Sequence, residues 1–273
     1  MGKKRRLSSP QIIILGFGAA ILLGAVLLML PFATRDGLGA PLSDALFTAT
    51  SAVCVTGLVV RDTATYWSGF GQGVLLLLIQ VGGMGVVTFA VVIASAAGQR
   101  ISLKQRGLMQ DAISAPQIGG ILRFTGFIVT LTAVFELTGA ALLSLVFCRE
   151  FGLWRGLWYG LFHGVSAFCN AGFDLMGVRA PYSSLTGFAA RPAVNLIVMA
   201  LIILGGIGFM TWSDLKTDRL RFRRYRMQTK VVLVTSGLLL VLPAVYFYFF
   251  EFAGLEPGER FWGSLFQSVT ART

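Results

Sequence analysis

Charge is scarce in this sequence. Only 13% of the 273 residues are Asp, Glu, Lys or Arg, about half the share of an ordinary soluble domain. There is one histidine, His163, and there are three cysteines, Cys54, Cys148 and Cys169, with no C-x-x-C pair. That excludes a disulfide framework, a cysteine-based zinc site and a histidine-rich metal site. What is abundant is apolar: 55% of the chain is hydrophobic, with a mean hydropathy of +0.76. One soluble core could not bury this much apolar surface, so composition excludes a soluble enzyme, a secreted scaffold and a disordered tail. It points to an all-α integral membrane protein. Glycine is also abundant, at 33 residues. Gly-rich membrane chains need close helix contacts or unusual backbone.

Uncharged stretches run from Gln11 to Thr34, Thr63 to Gln99, Pro192 to Ser213 and Val231 to Phe250. A further run from Phe124 to Cys148 is interrupted only by Glu136. Crossing the hydrocarbon takes about 20 apolar residues as a helix. Five spans are therefore expected, at about 11–33, 72–97, 121–147, 193–213 and 231–250. The basic start, Met1 to Arg6, resembles a signal peptide, but the apolar run after it is longer than an h-region, so it reads as a retained first helix.

Net charge is +11, and its distribution is a topology signal. With the N-terminus in the cytoplasm, the inner segments 1–10, 98–120 and 214–230, with Arg123 at the membrane edge, hold fifteen of the 23 basic residues. Only Asp111, Asp214 and Asp218 oppose them. The outer segments balance to zero. The positive-inside rule therefore places the N-terminus inside, and nucleic acid is not the implied partner.

The outer segments repeat. Leu46 to Leu58 aligns with Leu161 to Phe173 at an offset of 115, with Leu, Phe, Ser, Ala, Cys and Gly identical. Gly82 to Thr88 aligns with Gly205 to Thr211 at an offset of 123, and a third copy starts at Gly263. Each copy reads as helix, half-helix, Gly-ended loop, helix. The half-helices, about 43–53 and 157–167, are too short to span. A polar loop at membrane depth survives only if buried in protein or lining a cavity. Helix, re-entrant loop, helix is the plan of a cation selectivity filter. The expected organisation is an N-terminal segment 1–10, pore repeat 1 at 11–98 and a loop at 99–120. Pore repeat 2 comes next at 121–213, then a basic loop at 214–230 and a partial third repeat at 231–273.

A dehydrated cation needs oxygen ligands, and backbone carbonyls supply dipoles without full charge. Aiming successive carbonyls at one axis takes dihedrals that glycine permits. Gly57 and Gly172 stand at equivalent points. Carbonyls of Cys54, Val55 and Thr56, and of Cys169, Asn170 and Ala171, precede them. The half-helices would aim their negative C-terminal ends at the ion.

The stretch Ala49 to Leu58, the later Gln80-Val81-Gly82-Gly83-Met84-Gly85 and the final Ser268-Val269-Thr270-Ala271-Arg272-Thr273 resemble the Trk/Ktr/HKT superfamily of potassium transporters, and most of all its Ktr-type membrane subunit. The resemblance covers nearly the whole chain. It implies four helix–loop–helix repeats around one pore in the plasma membrane, with potassium held by carbonyls at one Gly per repeat. Thr273 would open the third filter. Gly57, where some plant relatives carry Ser and transport sodium, favours potassium. The resemblance further implies a homodimer above a cytosolic nucleotide-binding regulatory subunit. No cofactor is implied; coupling to sodium or protons stays open. The family pattern continues past Thr273 with a third filter Gly and a fourth repeat. This chain is therefore expected to be either a fragment or a truncated, non-conducting product.

Other residues carry weaker readings. Gly82, Gly83 and Gly85, with Gly205, Gly206 and Gly208, are expected to support the filter by letting inner helices approach the loops. Asp44, Asp62 and Asp174 read either as acids at an outer mouth or as solvated surface. Glu136 is an intramembrane acid, expected on an outer helix away from the filter and bonded to a neighbouring helix. Cys54 and Cys169 are expected to be packed, reduced and not ligands through sulfur. Ser166 and His163 permit an intramembrane hydrolase reading. Their counterparts in the other copies, Thr48 and Gln267 for His163, mark a generic polar position instead, and a non-enzyme is expected. The basic loop from Lys216 to Lys230 reads as a lipid contact, a partner contact or a topology signal alone.

Overall fold

A computed structural model describes residues 8–96, 107, 108, 110, 111, 120–219 and 221–273. Residues 1–7 and most of the expected cytoplasmic segment 98–120 lie outside the described residues. The chain divides into two compact units, Met1–Leu131 and Thr132–Thr273.

The first unit opens with α1 (Ser9–Leu28), which carries no charge. The Ser8 N–H donates to Gln11 Oε1 at 3.0 Å, and Pro10 lies in the first turn, where its missing N–H is harmless. Pro31 comes just after the helix and prevents its continuation. α2 (Leu42–Val53) has twelve residues, about 18 Å of helix, and cannot span. A short turn, α3 (Thr63–Tyr66), is capped by Asp62, whose Oδ2 accepts from the Thr65 N–H at 2.8 Å. α4 (Gly69–Met84) starts with Ser68 Oγ accepting from the Gly71 N–H at 3.2 Å. It stops at Gly85, whose φ of +80° an L side chain resists. The chain turns there by 107° into α5 (Val86–Ala96). Val87 and Val91 of α5 meet Ile121 and Phe124 at the start of α6 (Ile121–Phe151).

The second unit holds the rest of α6. Gly152, at φ +80°, reverses the chain into α7 (Leu153–Phe168). Gly156, Gly160 and Gly164 repeat every four residues and so share one face of α7. Added Cβ atoms there would run into Cys148, Ser144 and Ala140 of α6, so small residues set this close crossing. α8 (Pro192–Gly206) ends at a second break, with Gly208 at φ +82° and a bend of 91° into α9 (Phe209–Asp218). α10 (Met227–Tyr246) closes in a π-turn over Phe247–Glu251, and α11 (Pro257–Ala271) ends the chain's helices.

Two polar devices hold the late helices. Asp214 on α9 accepts from Arg226 Nε at 2.8 Å and Thr229 Oγ1 at 2.7 Å, tying α9 to the start of α10. Pro243 inside α10 has no N–H to give the Leu239 carbonyl four residues back. Ser268 Oγ of α11 lies 3.3 Å from that oxygen and 2.6 Å from the Leu240 oxygen. A hydroxyl from the neighbouring helix thus stands where the helix lacks its own donor.

Among the described residues, three helices are long and apolar enough to cross a membrane: Ser9–Leu28, Ile121–Phe151 and Met227–Glu251. The total is five if each bent pair is one span. The chain is an all-α, multi-pass membrane protein. Three expected elements differ in the structure. The expected spans 72–97 and 193–213 are each bent at a left-handed glycine, Gly85 and Gly208. The second half-helix has sixteen residues rather than about ten. The basic loop 214–230 is shorter, because α9 runs to Asp218 and α10 begins at Met227.

Asp214→Ala removes the acceptor shared by Arg226 and Thr229. Arg226 is partly exposed, so the expected loss is about 1–2 kcal/mol, read as a lower unfolding temperature of the detergent-purified protein. Arg226→Lys, which keeps charge but not the fork, should fall between wild type and Asp214→Ala.

Candidate functional site

Each short helix, α2 and α7, ends in the same backbone turn. Val55 and Asn170 both adopt φ +56°. The Val55 N–H donates to the Ala52 carbonyl at 3.3 Å and the Thr56 N–H to the Ser51 carbonyl at 2.8 Å. In the second unit, Asn170 N–H reaches Ala167 O at 3.1 Å and Ala171 N–H reaches Ser166 O at 2.8 Å. These paired bonds are a Schellman ending, which normally places Gly at the left-handed position. Asn tolerates that conformation; β-branched Val does so under strain. Gly57 and Gly172 then take φ +81° and +73°.

This turn bonds the N–H groups of Cys54 to Thr56 and of Cys169 to Ala171 and leaves oxygens over. Among the described residues, no hydrogen bond ends on the carbonyls of Cys54, Val55, Thr56 or Gly57. None ends on those of Cys169, Asn170, Ala171 or Gly172. Each unit therefore carries four consecutive carbonyls without a donor, just past the negative end of a helix.

The broken helices brace the turns. A Cβ on Gly82 would overlap the Val53 carbonyl oxygen, and one on Gly205 would overlap the Phe168 carbonyl oxygen. Val53 and Phe168 are equivalent in the 115-residue offset, as Gly82 and Gly205 are in the 123-residue offset. Gly24 faces Leu78 and Gly139 faces Leu201 in the same correspondence. Gly85 and Gly208 play another part: nothing lies within 4 Å of a Cβ there, and their left-handed φ makes the bends. Gly83 lies in the last turn of α4. Gly206 sits beside Arg272, whose Nη2 also donates to Ser236 Oγ at 2.8 Å. Thr273 Oγ1 donates to the Thr270 carbonyl at 3.3 Å, closing the last turn of α11.

The two turns differ in how the chain leaves them. In the second unit, the Leu175 N–H donates to His163 Nε2 at 3.3 Å, leaving Nδ1 to donate to the Tyr159 carbonyl at 2.7 Å. Ser166 Oγ donates to the Phe173 carbonyl at 2.6 Å. Both side chains are thus bonded to backbone, and His163 binds neither Ser166 nor a carboxylate, so no catalytic pair is built. They fasten residues 173–175 against α7, and Ala171 and Phe173 are buried. In the first unit the counterparts Thr48 and Ser51 make no such bond, and Leu58, Val59 and Val60 are exposed.

Three expectations about individual residues change. Glu136 is buried, and its Oε1 accepts from Cys169 Sγ at 3.6 Å, so it is not remote from the candidate filter. Cys54 is exposed while Cys169 is buried, so the two are not packed alike. The acids are engaged: Asp44 pairs with Arg61 at 2.7 Å, and Asp174 Oδ1 accepts from the Met176 N–H at 2.8 Å. The Arg61 hydrogen bond holds the Asp44 carboxyl below its usual range. The basic turn after α9 lines a cavity of about 270 Å³ with Arg219, Arg221 and Arg224.

Residues 10–273 match the family described as TrkH, cation transport protein. The chain is similar to Ktr system potassium uptake protein B of Bacillus subtilis, at 40% identity over 98% of this chain and 60% of that protein. It is 38% identical to the potassium/sodium uptake protein NtpJ of Enterococcus hirae, over 99% of this chain and 60% of that protein. With Ktr system potassium uptake protein B of Vibrio alginolyticus it shares 36% identity, over 99% and 59% respectively. The chain spans about three-fifths of the length of the curated relatives it matches.

Gly205→Ala should destabilise the protein more than Gly208→Ala. The first drives a methyl into backbone, at about 1–3 kcal/mol; the second meets open space and carries only the left-handed penalty of about 1–2 kcal/mol. Thermal unfolding of the two purified variants side by side checks the order, and Gly82→Ala should behave like Gly205→Ala.

Proposed function

The chain belongs to the TrkH family of cation transport proteins, and on that premise we propose that it moves potassium inward across the plasma membrane along a path lined by backbone carbonyls of its re-entrant loops. The observation that carries this reading is the pair of donor-free carbonyl runs, Cys54 to Gly57 and Cys169 to Gly172. Each comes after a half-helix whose C-terminal end is negative. A cation that sheds its water needs such oxygens, and the absence of a full charge on them keeps binding reversible. Thr273 would start the third run. The left-handed Val55 and Asn170, locked by Schellman bonds, hold the carbonyls ready before an ion arrives.

The charge distribution supports an N-terminus in the cytoplasm, with the basic turn around Arg219 to Arg224 on the same side. In this reading the chain works as part of a homodimer with a cytosolic nucleotide-binding regulatory subunit, and its pore is completed by further repeats of the whole protein. The names of its relatives, potassium uptake and potassium/sodium uptake, support potassium as cargo with sodium as the competitor to be excluded. His163 and Ser166, bonded to backbone, act by fixing the exit from the second loop rather than by catalysis.

Gly57→Ser in the whole coding sequence should lower potassium-over-sodium discrimination by about tenfold, the loss of roughly 1.4 kcal/mol of differential binding. Uptake by potassium-uptake-deficient bacteria in mixed potassium and sodium media measures it. Unchanged discrimination at equal protein level would remove Gly57 from the filter.

A further inference from the structure

The turn between α9 and α10 gathers arginines around a cavity. α9 ends at Asp218, a short 3-10 turn covers Phe222–Arg224, and α10 starts at Met227. Backbone bonds fix the turn: the Arg221 N–H donates to the Asp218 carbonyl at 3.1 Å and the Arg224 N–H to the Arg221 carbonyl at 2.9 Å. The hydroxyl of buried Tyr225 donates to the Arg219 carbonyl. Arg226 is engaged by Asp214, and Lys230 Nζ donates to the Arg223 carbonyl at 2.9 Å. Arg219, Arg221 and Arg224 stand exposed around the cavity of about 270 Å³, with Thr217 and Asp218 completing its lining. Among the described residues, none of these three arginines forms an ion pair. Three guanidiniums against the one carboxylate of Asp218 leave the cavity positive.

A topology signal needs only a surplus of positive charge on one side of the membrane. It does not need three arginines to share a cavity, where like charges repel. An anion with several acceptor oxygens relieves that repulsion, and the planar guanidinium matches phosphate oxygens two at a time. The cavity is several times the volume of one water, about 30 Å³, so a phosphate has room. Position in the membrane says which phosphate. The uncharged run of α10 begins at Val231. Met227 lies one turn earlier, about 6 Å along the helix, and the headgroup layer of one leaflet is about 5–8 Å thick. The arginine turn therefore stands at the level of lipid phosphates. Phe222 and Met227 are exposed beside it, and Met227, Val231, Val234 and Leu238 share one exposed face of α10. That face offers acyl chains an apolar path leading away from the arginines.

We propose that Arg219, Arg221 and Arg224 form a binding site for the phosphate of an anionic phospholipid whose chains lie along the exposed face of α10. The site is separate from the carbonyl path and does not rest on it.

The test uses the protein of the whole coding sequence, purified in nonionic detergent and titrated with phosphatidylglycerol or phosphatidylcholine. Native mass spectrometry reads the lipid retained. Wild type should retain phosphatidylglycerol over phosphatidylcholine. Arg221→Gln and Arg224→Gln should each weaken phosphatidylglycerol retention about fivefold, with phosphatidylcholine unchanged, and Asp218→Asn should strengthen it. Arg223→Gln removes the same charge from the same turn, but Arg223 does not line the cavity; retention should stay within about twofold of wild type. Equal losses in Arg223→Gln and Arg221→Gln would mean diffuse attraction and overturn the site, as would a wild type without lipid preference. Should the arginine variants misinsert, Asp218→Asn decides, since it removes no positive charge; unchanged retention there counts against the site. Inorganic phosphate and ATP, titrated in parallel, test the source. If either is bound by wild type and lost in Arg221→Gln while phosphatidylglycerol shows no such loss, the cavity takes a soluble phosphate and the lipid assignment is overturned.

Discussion

Backbone polar groups at membrane depth must be satisfied inside the protein or face a polar path, and one close approach lets this chain meet that constraint twice. Gly82 against the Val53 carbonyl, and Gly205 against that of Phe168, bring a broken helix within van der Waals reach of a half-helix end. Any side chain at these glycines would hold the two apart. With the approach in place, the Schellman turn can bond the N–H groups of Cys54 to Thr56 and of Cys169 to Ala171 and leave its carbonyls over. Those leftover oxygens are where chemistry can happen.

The supporting structure differs between the units, and the difference is local. In the second unit His163 and Ser166 draw the chain after the turn back onto α7, burying Ala171 and Phe173. In the first unit Thr48 stands in the place of His163 with a hydroxyl too short to reach as far as an imidazole, Ser51 makes no bond like that of Ser166, and the chain after Gly57 runs exposed. One backbone design is thus fastened by His163 and Ser166 of the half-helix in one copy and, further along the chain, by the Arg61–Asp44 ion pair in the other.

Much of this was legible from residue order. The offset of 115 found the two turns, because a turn with left-handed residues repeats its small and polar residues in register. Apolar runs found the helices, because hydrocarbon imposes a length. The breaks at Gly85 and Gly208 were not legible, since a glycine inside an apolar run signals either close packing or a bend, and only dihedral angles separate the two. Gly82 and Gly205 turned out to serve packing while their neighbours three residues on make the bends. Glu136 was conspicuous as an acid in a span, yet its partner was not. Cys169 is 33 residues away, and nothing in an apolar helical pattern says which face of α6 looks toward α7. The bond from Ser268 to the carbonyls near Pro243 was equally hidden, although Pro243 itself announces a missing donor.

Helix lengths set one further condition. α6 has 31 residues, about 46 Å of helix, well beyond a hydrocarbon layer about 30 Å thick. α4 has sixteen and α8 fifteen, about 24 and 22 Å before their bends. One bilayer therefore hosts a helix that must tilt or protrude and two that stop short of its far side. Hydrophobic mismatch acts on these elements in opposite senses. A thinner membrane suits α4 and α8 and leaves more of α6 to accommodate; a thicker one does the reverse. Acyl-chain length thereby becomes a mechanical variable for the protein, felt at the glycines where its shorter helices turn.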